Sequence, residues 1–185
     1  TQMARFLNSY GEVLVERFVT GTEWTVLVAE PPVGSEQPLV LPAVQCAFPP
    51  GEDFKHFDLK WRDFEGLQWL PAQDAALANK VEQAAAALFS GLDQCGYGRV
   101  DLRVDHAGVP HVLEINPNCG LFYPDGQFGS ADEILSRSDL GHVGFLDHIL
   151  RTALRRAEAR RPVCQVVWAG HGYQLQTVRA VSAGE

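Results

Sequence analysis

Apolar and polar residues follow several distinct rhythms along the chain, and each rhythm predicts an element. Val13 to Val19 and Glu23 to Ala29 are two extended, β-branched runs around Thr20-Gly21-Thr22, which predicts a hairpin. Leu39 to Phe48 is a third extended run, broken at Pro42, and a proline inside such a run predicts an edge position or a bend. From Pro49 to Pro71, proline, glycine, aspartate and aromatics mix without a period, so this stretch reads as a long loop of the kind that carries function. Leu77, Val81, Ala84, Ala85, Leu88 and Leu92 then recur at helical spacing, predicting a helix from Asp74 to Asp93. Strands follow at Tyr97 to Asp105 and Pro110 to Asn116. Val143, Leu146, Ile149, Leu150, Ala153 and Leu154 mark a second helix, and its basic run from Arg155 to Arg161 ahead of Pro162 suits the negative end of a helix dipole. The sum is a mixed α/β chain without internal repeats.

The chemistry concentrates between Gly98 and Asn116. Two alternating runs flank Ala107-Gly108, and with those two residues as the loop, partners across the hairpin have numbers summing to 215. Asp101 then faces Glu114, and Arg99 faces Asn116, all on one side because side chains alternate with period two. The other side pairs Val100 with Ile115, Leu102 with Leu113 and Val104 with His111, an apolar floor beneath a polar ceiling. Two carboxylates set opposite each other repel. A shared proton, a neighbouring arginine or a bound cation has to offset that repulsion. With Asn116 as a third oxygen donor, the cluster suits a hard divalent cation, since Mg²⁺ takes one or two protein carboxylates together with waters and substrate phosphates. Arg99 would then meet a phosphate or an oxyanion. The same pattern also describes a polar sheet face on which Arg99 and Arg103 neutralise the two acids, and periodicity does not choose between them.

Composition narrows the function classes. With 185 residues, 46% of them hydrophobic and ten Phe among them, the chain can bury one sizeable core or two small ones. A net charge of -8 lacks the basic field that nucleic acid or an anionic membrane surface requires, so neither is expected as a partner. Cys46, Cys95, Cys119 and Cys164 lie far apart, with no CxxC and no Cys/His metal spacing. No apolar run reaches a membrane span, and no charged-then-apolar leader opens the chain. The expectation is a reduced, cytoplasmic, soluble domain.

Three motifs, taken together, resemble a known family. Gly96-Tyr-Gly-Arg99-Val-Asp101 followed by Leu113-Glu114-Ile-Asn116-Pro-Asn-Cys-Gly120-Leu looks like the metal-binding end of the ATP-grasp fold, in the branch of the D-alanine–D-alanine ligases. Glu12-Val-Leu-Val-Glu16-Arg-Phe-Val19-Thr-Gly-Thr-Glu23 is similar to that family's nucleotide strand pair, and Phe57-Asp-Leu-Lys60-Trp61 to its phosphate-contacting loop. The resemblance implies an α/β (α+β) fold, the C-terminal subdomain of an ATP-grasp domain, mostly antiparallel sheet with packed helices, over residues 1–161. It implies that Glu16 accepts from the adenine amino group, that the backbone of Arg17 and Val19 completes the hinge, that Phe18 walls the ring and that Glu23 binds the ribose. It implies Lys60 on the ATP phosphates, Mg²⁺ (or Mn²⁺) held by Asp101, Glu114 and Asn116, and Arg99 on the oxyanion of the tetrahedral intermediate. Gly120 would let substrate approach the backbone closely.

The departures from that family bear on the substrate. The family commonly has Asn-x-x-Pro-Gly here, where this chain has Asn116-Pro-Asn-Cys-Gly120. Its serine-rich stretch, which holds the acceptor's carboxylate, is replaced by Phe122-Tyr-Pro-Asp125-Gly-Gln-Phe-Gly-Ser130, which argues against D-alanine as acceptor. Cys119 reads as a small packed thiol, not a nucleophile. Only eleven residues precede Glu12, so the family's upstream domains and phosphate loop are expected elsewhere in a longer polypeptide, and the chain alone is expected to show no ligase turnover. Residues 162–185, ending Gly-His-Gly-Tyr173 to Arg179 to Gly184-Glu185, resemble the opening of a SET domain, and equally a plain hairpin. Three function classes therefore stand: an ATP- and Mg²⁺-dependent carboxylate–amine ligase present in part, acting on ATP and a small carboxylate or amine; a piece of a SET-domain lysine methyltransferase; and a non-catalytic ATP-grasp-derived interaction module.

Overall fold

The computed structural model describes residues 2–61, 66–93, 95–124, 126–160, 163–168 and 173–178, with the backbone alone for residues 60, 61, 163–168 and 173–178. Elements are numbered in chain order. One antiparallel sheet runs in the order β4 (Gln68–Pro71), β3 (Val44–Ala47), β1 (Gly21–Ala29), β5 (Tyr97–Asp105), β6 (Pro110–Pro117), with the short β2 (Leu39–Val40) paired to the end of β1. Helix α3 (Ala75–Gly91) covers one face. Helices α4 (Ser130–Arg137) and α5 (Gly141–Ala159) pack at one end of the other. A separate hairpin joins β7 (Val163–Trp168) to β8 (Tyr173–Val178).

Alternation along the central strands divides the core in two. Trp24, Val26 and Val28 of β1 join Val100, Leu102 and Val104 of β5 against Val81, Ala85 and Phe89 of α3. Asp74 starts that helix, its carboxylate accepting from the N–H groups of Ala76 and Leu77. On the opposite face Leu27, Ala29 and Val44 meet Ala131, Ile134 and Leu135 of α4 and Phe145 of α5. Only part of that second face is covered by helices, and the polar rows described below occupy the remainder.

Several expectations need correction. Residues 11–20 form no strand, so the expected hairpin from Val13 to Ala29 does not exist. The reason is that β1 has no spare edge: β5 pairs with it from Gly21–Asp105 to Ala29–Tyr97, while β3 and β2 take the other side. The expected loop from Pro49 to Pro71 contains a short helix, α2 (Phe57–Trp61), and the edge strand β4, whose Pro71 falls at a strand end where a missing donor costs little. Pro42 does mark a bend, between β2 and β3. Two helices were not expected: α1 (Gln2–Tyr10), exposed along its length, and α4, whose Ser-Ala-Asp-Glu opening looks polar although Ser130, Ala131 and Asp132 are buried.

The β5–β6 hairpin is correct in its strands and wrong in half its register. Asp105 N–H donates to Val109 O and Gly108 N–H to Asp105 O, so the loop has three residues, His106 to Gly108, and Gly108 takes the left-handed conformation this turn needs, with φ +74°. Pairs near the turn are Leu102–Val112, Arg103–His111 and Val104–Pro110. Leu113 is then a bulge, and beyond it Asp101–Glu114, Val100–Ile115 and Arg99–Asn116 pair as expected. His111 consequently lies on the polar face and not opposite Val104.

Candidate functional site

Because directly paired residues share a face, the sheet register places the polar groups in rows. One row crosses five strands as Trp69, Cys46, Glu23, Arg103 and His111. Two residues along, Thr25, Asp101 and Glu114 form the next row, followed by Arg99 with Asn116. Above them opens a cleft of about 1750 Å³, reached by Glu16, Phe18 and Glu23 at one end and by Arg99, Asp101 and Glu114 at the other.

Asp101 is buried and heavily coordinated. Arg99 donates to both of its oxygens, Nε to Oδ1 at 3.0 Å and Nη2 to Oδ2 at 2.7 Å, while Thr25 Oγ1 donates to Oδ1 at 2.9 Å. Asn116 Nδ2 bridges the acids, lying 3.3 Å from Asp101 Oδ2 and 2.9 Å from Glu114 Oε1. Asp101, Glu114 and Asn116 thus converge across adjacent antiparallel strands, with one positive-edged amide group between two carboxylates. Burial works against the Arg99 charge, but Asp101 outweighs it through charge and hydrogen bonding, so the guanidinium titrates above its ordinary value. In this state Arg99 neutralises Asp101, as in the second of the two arrangements that the alternation allowed, while Arg103 pairs with Glu23 and Glu114 meets Asn116.

At the other end Glu23 is also enclosed. Lys55 Nζ meets its Oε1 at 2.6 Å and Arg103 Nη1 meets Oε2 at 3.3 Å, and the Lys55 ammonium lies 4.4 Å from the centre of the Trp69 ring. Glu16, Arg17 and Phe18 are exposed and Val19 half-buried, and all four line the cleft. Lys60 lies on α2, and its side chain falls outside the described residues.

Beyond β6 the chain turns through Asn118 and Phe122, both with positive φ (+53° and +63°). A bulky residue holds that conformation only when its surroundings insist on it. Here the fully buried Asp132 of α4 accepts from Phe122 N–H at 2.7 Å and from Tyr123 N–H, and lies 3.0 Å from His142 Nε2. Gly120 lines the cleft, with the Tyr123 ring end close to where a side chain on it would stand. Asp125 lies outside the described residues. Burial pushes the Cys119 and Cys46 thiols up to about 11, which makes both inert as nucleophiles near neutrality and agrees with a packed role for Cys119.

Lys55, Trp69, His111 and Asp132 escaped sequence reasoning. The first two sit in the aperiodic stretch, and His111 was assigned to the wrong face for want of one bulge. Asp132 had a usable signal, an acid three residues before Leu135 in a short helix-compatible run, but the polar opening of that run hid it.

The family described as "D-ala D-ala ligase C-terminus" matches residues 2–123. The chain belongs to that family. It is 32% identical over 106 residues to the D-alanine–D-alanine ligase of Dichelobacter nodosus, covering 57% of this chain and 32% of that protein. With the D-alanine–D-alanine ligase of Clostridium beijerinckii it shares 33% identity over 110 residues, 60% of this chain and 34% of the relative. The chain therefore spans about a third of the length of the curated relatives it matches. Crystal structures of the D-alanine–D-alanine ligase from Bacillus anthracis superpose with TM-scores of 0.63 and, for the form complexed with ATP, 0.62, at 22% and 21% identity. Each covers 86% of this chain and 48% of the other. At that identity the likeness establishes the fold: an α+β, antiparallel ATP-grasp C-terminal subdomain. The SET-like reading of residues 162–185 gains no support from these matches. Its glycine turn, at residues 169–172, and its Gly-Glu ending lie outside the described residues. Among the described residues no helix is long and apolar enough to cross a membrane.

Proposed function

We propose that the protein uses ATP to join a carboxylate to an amine through an acyl phosphate, and that this chain supplies the nucleotide and metal side of the reaction. The observation that carries the reading is the row Asp101–Glu114 with Asn116 beside Arg99, on the same sheet face as Glu23 and in one cleft. The donor set fits Mg²⁺ (or Mn²⁺): all three side chains offer hard oxygens, and the Asn116 amide already sits where positive charge between the two acids is wanted. When bound, the metal would supply charge neutralisation on the phosphate oxygens.

The chain's own residues supply the rest. Arg99 stays charged beside Asp101 and would meet the developing oxyanion. Glu16, the backbone of Arg17 and Val19, and Phe18 would hold the adenine, Glu23 the ribose, and Lys60 the phosphates. Phosphoryl transfer between anions depends on positive charge and in-line placement more than on covalent participation, which suits a site built of cations, acids and a metal. Further domains of a longer polypeptide would close the cleft over the nucleotide, in keeping with the length of the curated relatives. With Phe122-Tyr-Pro-Asp125 to Ser130 where the family has serines, and Asp125 unsuited to an acceptor's carboxylate, the acceptor is proposed to be other than D-alanine, an amine-bearing or a different compound.

Two variants test the division of labour in the intact protein. Glu23→Ala should weaken ATP binding about tenfold or more, through the lost ribose contact and the release of Lys55 and Arg103 that it pairs, with little change in turnover at saturation. Glu114→Gln should leave ATP affinity within a few-fold while abolishing metal-dependent ATP consumption. Calorimetry and a phosphate-release assay read the pair, and equal losses of both properties in both variants would contradict the roles.

A further inference from the structure

We propose that Arg103 is the positioning residue of the nucleotide hinge, holding residues 18–21 in the shape that selects adenine. The inference rests on the nucleotide reading above. The Arg103 side chain is 4% exposed, and all three of its nitrogens are engaged. Nε donates to Val19 O at 2.6 Å, Nη2 to Gly21 O at 3.1 Å, and Nη1 to Asp53 O at 2.8 Å and to Glu23 Oε2 at 3.3 Å. The guanidinium carbon lies 4.6 Å from the centre of the Phe18 ring. Phe18 in turn packs edge-on against Phe54 at 6.1 Å. One side chain therefore gathers three backbone carbonyls from two segments, together with the proposed ring wall and the proposed ribose acid.

That gathering matters because residues 11–20 belong to no helix or strand. Without a ladder, the segment that would read the base has to be shaped by something else. A planar fork of five donors can address several carbonyls at once, as the single ammonium of lysine cannot. With the Val19 carbonyl occupied by Arg103, the proposed hinge would read the base through the Val19 N–H and the Arg17 carbonyl. Adenine presents the matching edge, an acceptor nitrogen beside an amino donor. Hypoxanthine presents the reverse, a ring N–H beside a carbonyl, and leaves both hinge groups unmatched. Arg103 thus acts on the base through the backbone it holds, without touching it.

The test compares Arg103→Met and Arg103→Lys with the parent in the intact protein, by calorimetry with ATP and with ITP and by amide hydrogen exchange. The parent should prefer ATP. In Arg103→Met, ATP should weaken by about tenfold or more with ITP little changed, so that the preference collapses. Exchange at residues 17–21 should accelerate while β5 stays protected. Arg103→Lys keeps a charge for Glu23 and should still lose most of the preference, and it decides the matter if Arg103→Met does not fold. A merely structural arginine would lower thermal stability and weaken both nucleotides alike, and an unchanged ATP/ITP ratio in Arg103→Lys with unchanged exchange overturns the inference. Failure of the parent to bind ATP at all would overturn the nucleotide reading itself and this inference with it.

Discussion

Single residues in this site are defined by what encloses them. Asp101 and Glu23 would each be costly as unpaired buried acids, yet each meets a cation in the next row or loop, and Asp101 a hydroxyl as well. The acids were legible in the sequence because alternation holds within each strand, but Glu114 and Asn116 keep the face of Asp101 only because the Leu113 bulge offsets the longer turn. Their partners were less so. Lys55 approaches from an aperiodic segment, and His111 changes face because Leu113 is inserted as a bulge that no spacing rule announces. Burial also separates the thiols. Cys46 and Cys119, held near 11 by their surroundings, carry about one thiolate per thousand at pH 8, whereas Cys95 is exposed. Mass spectrometry after brief treatment with a thiol reagent at pH 8 should find Cys95 labelled and Cys46 and Cys119 untouched until the protein is denatured.

At the level of elements, the central strand β1 decides what its neighbours can be. Both of its edges are taken, one by β5 along its whole length and the other by β3 at residues 23–25 and β2 at 28–29, and so the extended run before it lies off the sheet and lines the cleft, although its own residues favour a strand. Local propensity was read correctly there and tertiary pairing overrode it. The helix over residues 75–91 and the strands β5 and β6 were legible because their periods are long and clean, while α4 was not, since three of its five buried positions are Ser, Ala and Asp. The crossing into β1 depends on Gly21, whose φ of +140° suits glycine alone and whose missing side chain makes room for the Val104 carbonyl. Gly21→Ala should destabilise the fold by about 2–4 kcal/mol, through strain and a displaced β1–β5 start, which chemical denaturation would measure. A loss below about 0.5 kcal/mol would mean that the strand entry relaxes freely.

On the scale of the whole molecule, one sheet separates two tasks. The face under α3 is apolar across β1 and β5, while the other face holds a second core under α4 and α5 at one end and is left open over the polar rows. The loop after β6 spans the junction between these parts, pinned by Asp132, so the cleft's far wall is fixed to the same core that holds the helices. Assignment of the fold was possible from three motifs in order, and the family match over residues 2–123 bears it out. The proposed metal–nucleotide complex on that face is tested by adding Mn²⁺ with ATP to the isotopically labelled protein and recording which backbone amides the paramagnetic ion broadens. The account predicts selective broadening at Arg99 to Asp101 and Glu114 to Asn116, reversed by excess Mg²⁺ and absent in Asp101→Asn. Broadening centred elsewhere on the sheet, or unchanged in Asp101→Asn, would contradict it.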